Sequence, residues 1–160
     1  MKTIQSLLPW TAVLALLAGA IWWLLARDVA SGRWLLAAVL FGHGAVHILF
    51  ATPAPQPTGS ESTWPFDMTR SWMSTGPGLD TGTVRALGLA LIAVTVAGFA
   101  VAALSTVPIA IPAGWWQAVI GVSAASSTIL LLIFFTPQLS LGIAINGTIG
   151  WIAASAAWLP

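Results

Sequence analysis

Five blocks of apolar residues, near 8–26, 34–52, 84–107, 114–135 and 141–158, carry no Asp, Glu, Lys or Arg in their interiors. A helix that crosses the hydrocarbon core of a bilayer needs about 20 mostly apolar residues, and each block has about that length. The expected fold class is therefore all-α: a polytopic transmembrane helical bundle of five spans, forming a single membrane domain over residues 1–160. Composition agrees, since 58% of the chain is hydrophobic and only 6% is charged, whereas about a quarter of a soluble domain is charged. A soluble globular protein is excluded. Five Lys and Arg balance four Asp and Glu with no run of one sign, so no basic stripe exists to track phosphates and nucleic acid is not an expected partner. The absence of cysteine excludes disulfides, thiolate metal sites, iron–sulfur clusters and a cysteine nucleophile.

Proline and tryptophan punctuate the blocks. Pro137 separates the fourth from the fifth, and Pro108 and Pro112 separate the third from the fourth. Trp10, Trp22, Trp23, Trp34, Trp115, Trp116 and Trp158 fall near block ends, where an indole keeps its ring among headgroups and its N–H wet. The first block starts like a signal peptide, with Lys2 and a small Ala18-Gly19-Ala20 step, but its apolar run continues through Ile21-Trp22-Trp23-Leu24-Leu25. That length is expected of a retained anchor. Lys2, Arg70 and Arg85 fall on one side and Arg27 and Arg33 on the other, nearly a tie by count. The two arginines of the compact 27–33 loop, however, are held tightly against two spans, whereas the 53–83 loop carries Glu61, Asp67 and Asp80. The bias of basic residues toward cytoplasmic loops then predicts an N-terminus outside and a C-terminus inside, in a cell membrane such as a bacterial inner membrane.

The long loop divides into two parts. Its beginning is too rich in proline and small polar residues for regular structure, whereas Trp64-Pro65-Phe66-Asp67-Met68-Thr69-Arg70-Ser71-Trp72-Met73 mixes aromatics with one acid and one base. The segment 64–73 is expected to lie on the interface over the bundle mouth, either as a lid or as a plain amphipathic connector.

Inside the spans the only ionisable groups are His43 and His47, which are also the only histidines of the chain. At a spacing of i,i+4 they share a helical face with Cβ atoms roughly 6 Å apart, a distance at which two imidazoles can hold one metal ion. The glutamate that follows the first histidine in a zincin helix is replaced by Gly44, which excludes that hydrolase chemistry. A third metal ligand would have to come from Asp67 or Glu61, with Asn146 or Gln117 as neutral oxygens. Two histidines on one face cannot grip opposite faces of one haem, although single axial ligation of haem or a chlorophyll-type pigment stays open beside Gly42 and Gly44. The alternative is a hydrogen bond from each histidine to a hydroxyl or amide of a neighbouring span.

Stripes of small and polar residues supply such partners. They comprise Gln117, Gly121, Ala124 and Thr128 with Ser123 and Ser127 in the fourth span, Gly142, Asn146, Gly150, Ala153 and Ala157 in the fifth, and Gly88, Thr95 and Ala102 in the third. Asn146 stands out, because an amide in mid-span must find a partner or cost several kcal/mol. His43 or His47 is the expected one.

Two motifs, His43-Gly44-Ala45-Val46-His47 read as H-G-x-x-H and the closing pattern Ser127 … Phe135-x-Pro137-x-x-x-x-Gly142-x-x-x-Asn146, resemble a family of small multi-span bacterial membrane proteins with no assigned reaction. Its members look like four-span proteins that begin at the histidine helix, so the likeness covers about residues 40–155. Residues 1–33 are then an added first span, and the proline-rich insert is a departure. The resemblance directs attention to His43, Gly44, His47, Gly142 and Asn146.

The expected function is non-enzymatic: a small apolar-ligand binder, or an accessory subunit that meets other membrane subunits within the lipid bilayer. The candidate ligand contacts are His43, His47, Asn146, Gln117, Trp64 and Asp67. The alternative is a membrane enzyme or redox subunit whose His43 and His47 hold a metal ion, haem, pigment or quinone.

Overall fold

The computed structural model describes residues 15–16, 19–23, 26–53, 64–107 and 113–155, and among them all regular structure is helical. Helix α1 runs from Val29 to Val46 and continues as a 3-10 turn, His47–Ala51. A single helical turn, α2, spans Trp72–Thr75. The long helix α3 covers Thr81–Thr106, α4 covers Trp116–Ile133, and α5 covers Ser140–Ser155.

Both α1 and α3 begin ahead of their apolar blocks. Asp28 accepts from the Ser31 amide at 3.4 Å and from its hydroxyl at 2.6 Å, while Asp80 accepts from the Thr83 amide at 2.9 Å. A side-chain cap satisfies backbone donors that a helix start leaves open. Polar residues such as Gly32 or Thr81, which hydropathy assigns to loops, are thereby drawn into the first turn.

Three helical stretches, Ala30–Ala51, Thr81–Thr106 and Trp116–Ile133, are long and apolar enough to cross a membrane. The five-span expectation is finer than this. Most of the first block lies outside the described residues, and its described part, 15–16, 19–23 and 26, is helical. The fifth block appears as a 16-residue helix, about 24 Å long at the α-helical rise, short of the roughly 30 Å hydrocarbon core.

Helix α3 packs against α1 on one side and α4 on the other, and α4 packs against α5. Contact of Phe99 with Gly44, together with a 3.5 Å bond from the Thr106 hydroxyl to the Arg33 carbonyl, sets α1 and α3 antiparallel. Two apolar cores result. One gathers Leu36, Leu40, Phe99, Trp116, Ile120 and Ile149; the other gathers Phe50, Val84, Ile92, Leu130, Phe134 and Leu139. On every helix that contributes to both, the histidines and their partners fall between the two sets.

Tryptophan placement needs one correction. Trp22, Trp23, Trp34 and Trp115 are at least half exposed, as belt residues are, but Trp116 is 1% exposed and belongs to the first core. Its neighbour Trp115 takes the outward direction because consecutive helical residues point about 100° apart. Trp10 and Trp158 lie outside the described residues.

The 64–73 segment caps a helix end. The Ser71 hydroxyl donates to the Ile133 carbonyl at 3.0 Å and the Trp72 indole donates to the Leu132 carbonyl at 2.8 Å. Both carbonyls belong to the last turn of α4, where no intrahelical donor remains. Phe66, Met68 and Met73 fill in against the second core.

Candidate functional site: a histidine–asparagine layer between the two cores

Helix α1 changes pitch at the second histidine. The His47 amide bonds back to the Ala45 and Gly44 carbonyls rather than to His43, a tighter ladder than the α-helical one. The His43 carbonyl, released from the α-helical ladder, lies 2.9 Å from Nδ1 of the His47 ring. A carbonyl only accepts, so Nδ1 of His47 carries the proton and its Nε2 is an acceptor. The Ser127 hydroxyl, 2.7 Å away, therefore donates to that Nε2.

The rest of the network follows by elimination. With its hydrogen given to His47, Ser127 Oγ accepts from Asn146 Nδ2 at 2.8 Å, and Thr128 Oγ1 takes the second amide hydrogen at 3.1 Å. Thr128 passes its own hydrogen to the Ala124 carbonyl at 2.8 Å. This orientation turns Asn146 Oδ1 toward His43, whose Nε2–H donates to it at 2.8 Å. The opposite amide orientation would give the single Ser127 hydrogen two acceptors to serve. One directed chain thus runs from the His43 ring through Asn146 and Ser127 to the His47 ring and ends on the His43 carbonyl.

Burial makes the chain consequential. His47 and Asn146 are 3% exposed and Ser127 is fully enclosed, and an unpaired amide or hydroxyl at such depth costs roughly 1–3 kcal/mol. Against this the two imidazoles meet edge to face with ring centroids 5.1 Å apart, and the Phe99 ring stands 5.1 Å from His43 on another side. No family model, curated protein or solved structure matches the chain. The likeness in the H-G-x-x-H and late G-x-x-x-N motifs therefore assigns no family, and the geometry of the layer is the guide to function.

Of the residues singled out in the sequence, the structure brings together His43, His47 and Asn146. The other three stand apart. Gln117 is exposed ten residues, about 15 Å, before Ser127 on α4, and donates to the Ala153 carbonyl at 3.3 Å. Trp64 packs on Phe66 with centroids 5.4 Å apart. Asp67 is engaged locally: it accepts from the Thr69 amide at 2.9 Å and hydroxyl at 2.7 Å, and pairs with Arg70 at 3.2 Å. Ser127 and Thr128 were visible as a polar stripe, but only the tertiary structure makes them the direct partners of Asn146. Phe99 carried no sequence signal beyond being apolar.

The arrangement also bears on which groups the histidines can hold. Three of the four imidazole nitrogens are engaged in hydrogen bonds, and no cluster of three His, Cys, Asp or Glu exists among the described residues. A shared metal ion does not fit this bonding. A flat macrocycle does not fit either, because the unengaged nitrogen of His43 is Nδ1, crowded by its own Cβ, and Phe99 occupies the space beside Gly44 with its Cβ 2.8 Å from where a side chain there would start.

What remains available is a lone pair. His43, bonded through Nε2–H, leaves Nδ1 as an acceptor with no hydrogen-bond partner among the described residues, and the residue is half-buried. The Thr95 hydroxyl is fully buried and also has no hydrogen-bond partner among the described residues. Thr95 lies one turn before Phe99, which on the antiparallel register of α1 and α3 brings it level with His47.

Proposed function

We propose that the chain is a five-span integral membrane protein of a cell membrane, N-terminus outside and C-terminus inside, that binds a small, largely apolar molecule at His43. The observation that carries this reading is the fixed ring with one open nitrogen. An imidazole whose N–H is tied to an amide oxygen holds its other nitrogen in a set direction, and second-layer bonds of this kind orient functional histidines. An acceptor at membrane depth selects a lipid-soluble molecule bearing a hydroxyl or another donor. The His47–Ser127–Asn146 chain serves as the scaffold, and at Gly42, beside His43, a side chain would meet nothing within 4 Å among the described residues.

Ligand binding is preferred over a purely accessory role because a saturated packing network would leave no acceptor open. Within the redox alternative, a quinol is the one candidate whose chemistry suits the site, since its hydroxyl can donate to His43 Nδ1 without displacing Asn146.

Extraction and mass spectrometry of lipid-soluble compounds that co-purify with the protein in mild detergent test the reading. Wild type should retain a donor-bearing compound that His43→Ala loses and Trp151→Ala, on the exposed side of α5, keeps. Retention of the same compound by both variants, or by neither wild type nor variants, removes His43 as the binding group.

A further inference from the structure

At the end of the bundle that carries the 64–73 segment, a cleft of about 410 Å³ opens between the last turn of α1, residues 66–69 and the start of α3. That volume lies in the range of small-molecule sites, roughly 300–1,000 Å³. Its floor is apolar: Phe50 is 2% exposed, Phe66 stands edge to face on it at 5.1 Å, and Met68 lines the wall. Its rim is polar, with Thr52, Asp67 and Arg85.

The charges at this end balance formally, Asp67 and Asp80 against Arg70 and Arg85, but among the described residues only Asp67 and Arg70 are in contact. Asp67 accepts from the Thr69 amide and hydroxyl and pairs with Arg70, and Asp80, the N-cap of α3 five residues before Arg85, accepts from Thr83. Arg85 makes no ion pair among the described residues. It also sits in the first turns of α3, where the partial positive charge of the helix start opposes a cation and favours an anion. An unpaired guanidinium above an aromatic floor, at the level where spans leave the bilayer, has the chemistry of an amphiphile site: head on the charge, chain on the rings.

We propose that this cleft binds the anionic head and the first carbons of an acyl-chain amphiphile, a site separate from His43. The head is a phosphate or a carboxylate, supplied by a bilayer phospholipid or by a free fatty acid. Basic pockets between spans attract such heads, each cation contributing about 1 kcal/mol near the surface.

The protein in phosphatidylcholine nanodiscs, photolabelled with diazirine-bearing palmitic acid and mapped by peptide mass spectrometry, tests this. Labelling should concentrate on residues 50–53 and 66–69, fall about five- to tenfold in Arg85→Gln, and recover in Arg85→Lys. Arg27→Gln, beyond the far end of α1 and stacked over Trp23, should leave it unchanged. Competition by a few mole per cent of phosphatidylglycerol identifies the head as a phospholipid phosphate, and competition by oleate alone identifies a free carboxylate; either supports the site. Undiminished labelling in Arg85→Gln, labelling spread evenly over the lipid-facing tryptophans, or a large gain in Glu61→Gln, which would mean that the chain's own carboxylate holds Arg85, overturns it.

Discussion

Asn146 is the residue on which the polar layer depends, because it serves His43 with its oxygen and Ser127 and Thr128 with its nitrogen. Replacing it by Leu should destabilise the protein by about 0.5–2 kcal/mol, the range for interhelical bonds in membranes. Combining Asn146→Leu with His43→Leu should cost less than the sum of the two, since both remove one bond. Denaturant titration in detergent checks this, and strict additivity would dissolve the contact between α1 and α5. A different residue controls the start of α1. The Ser31 hydroxyl, and after it the Ser31 amide, hold the Asp28 carboxyl below its usual range. A depressed carboxylate contributes stability that is present above the unfolded value and lost as pH falls through the folded one. The protection of the Ser31 amide against exchange, taken relative to its intrinsic rate at each pH, should therefore fall with acidification into that window. Asp28→Asn, which still accepts from Ser31 but does not titrate, should flatten the dependence.

Among the helices, glycine marks where backbones are held close, and its meaning depends on what a methyl would strike. At Gly44 a Cβ would stand 2.8 Å from the Cβ of Phe99, an atom tied to the α3 backbone. At Gly142 the same distance is to Cδ1 of Leu131, the far end of a side chain that can rotate. Gly44→Ala should then cost about 1–3 kcal/mol by overpacking, Gly142→Ala less, and Gly42→Ala, with open space, no more than roughly 0.5 kcal/mol. Thermal unfolding of the three variants in one detergent gives the order, and equal losses at Gly42 and Gly44 would contradict the α1–α3 register. The small-residue stripes read from the sequence are thus only partly packing faces: Gly88 meets Phe134 and Met68, whereas Gly121 and Gly150 meet nothing within 4 Å.

Across the whole molecule, α1, α3 and α4 form an up–down–up series with the polar layer between two cores. On the proposed topology the Asp28–Ser31 turn and the 66–70 turn lie on opposite sides of the membrane. Single cysteines at Ser31 and Thr69, both exposed, should react with an impermeant thiol reagent from opposite sides of a sealed vesicle. Labelling of both from one side would unseat the assignment of α1 as a span.

The all-helical architecture was legible in one dimension, because an apolar run without charge has few other ways to satisfy its backbone in lipid. So was the singular character of His43, His47 and Asn146, since polar groups at that depth are scarce enough to count by eye. The helices capped by Asp28 and Asp80 begin three to five residues ahead of the apolar blocks, hydropathy being blind to caps. The tertiary structure alone decided which nitrogen is left open. That outcome depends on Ser127, 80 positions from His47, on Asn146, 103 positions from His43, and on the 3-10 turn that frees the His43 carbonyl. It also decided that Ser71 and Trp72 close the end of α4 and that Asp67 turns to Thr69 and Arg70, so that the 64–73 segment does not reach the histidines. The physical reason is directionality: burial follows from composition and period, but a hydrogen bond needs a donor and an acceptor at one distance and angle, and only the packed helices set those.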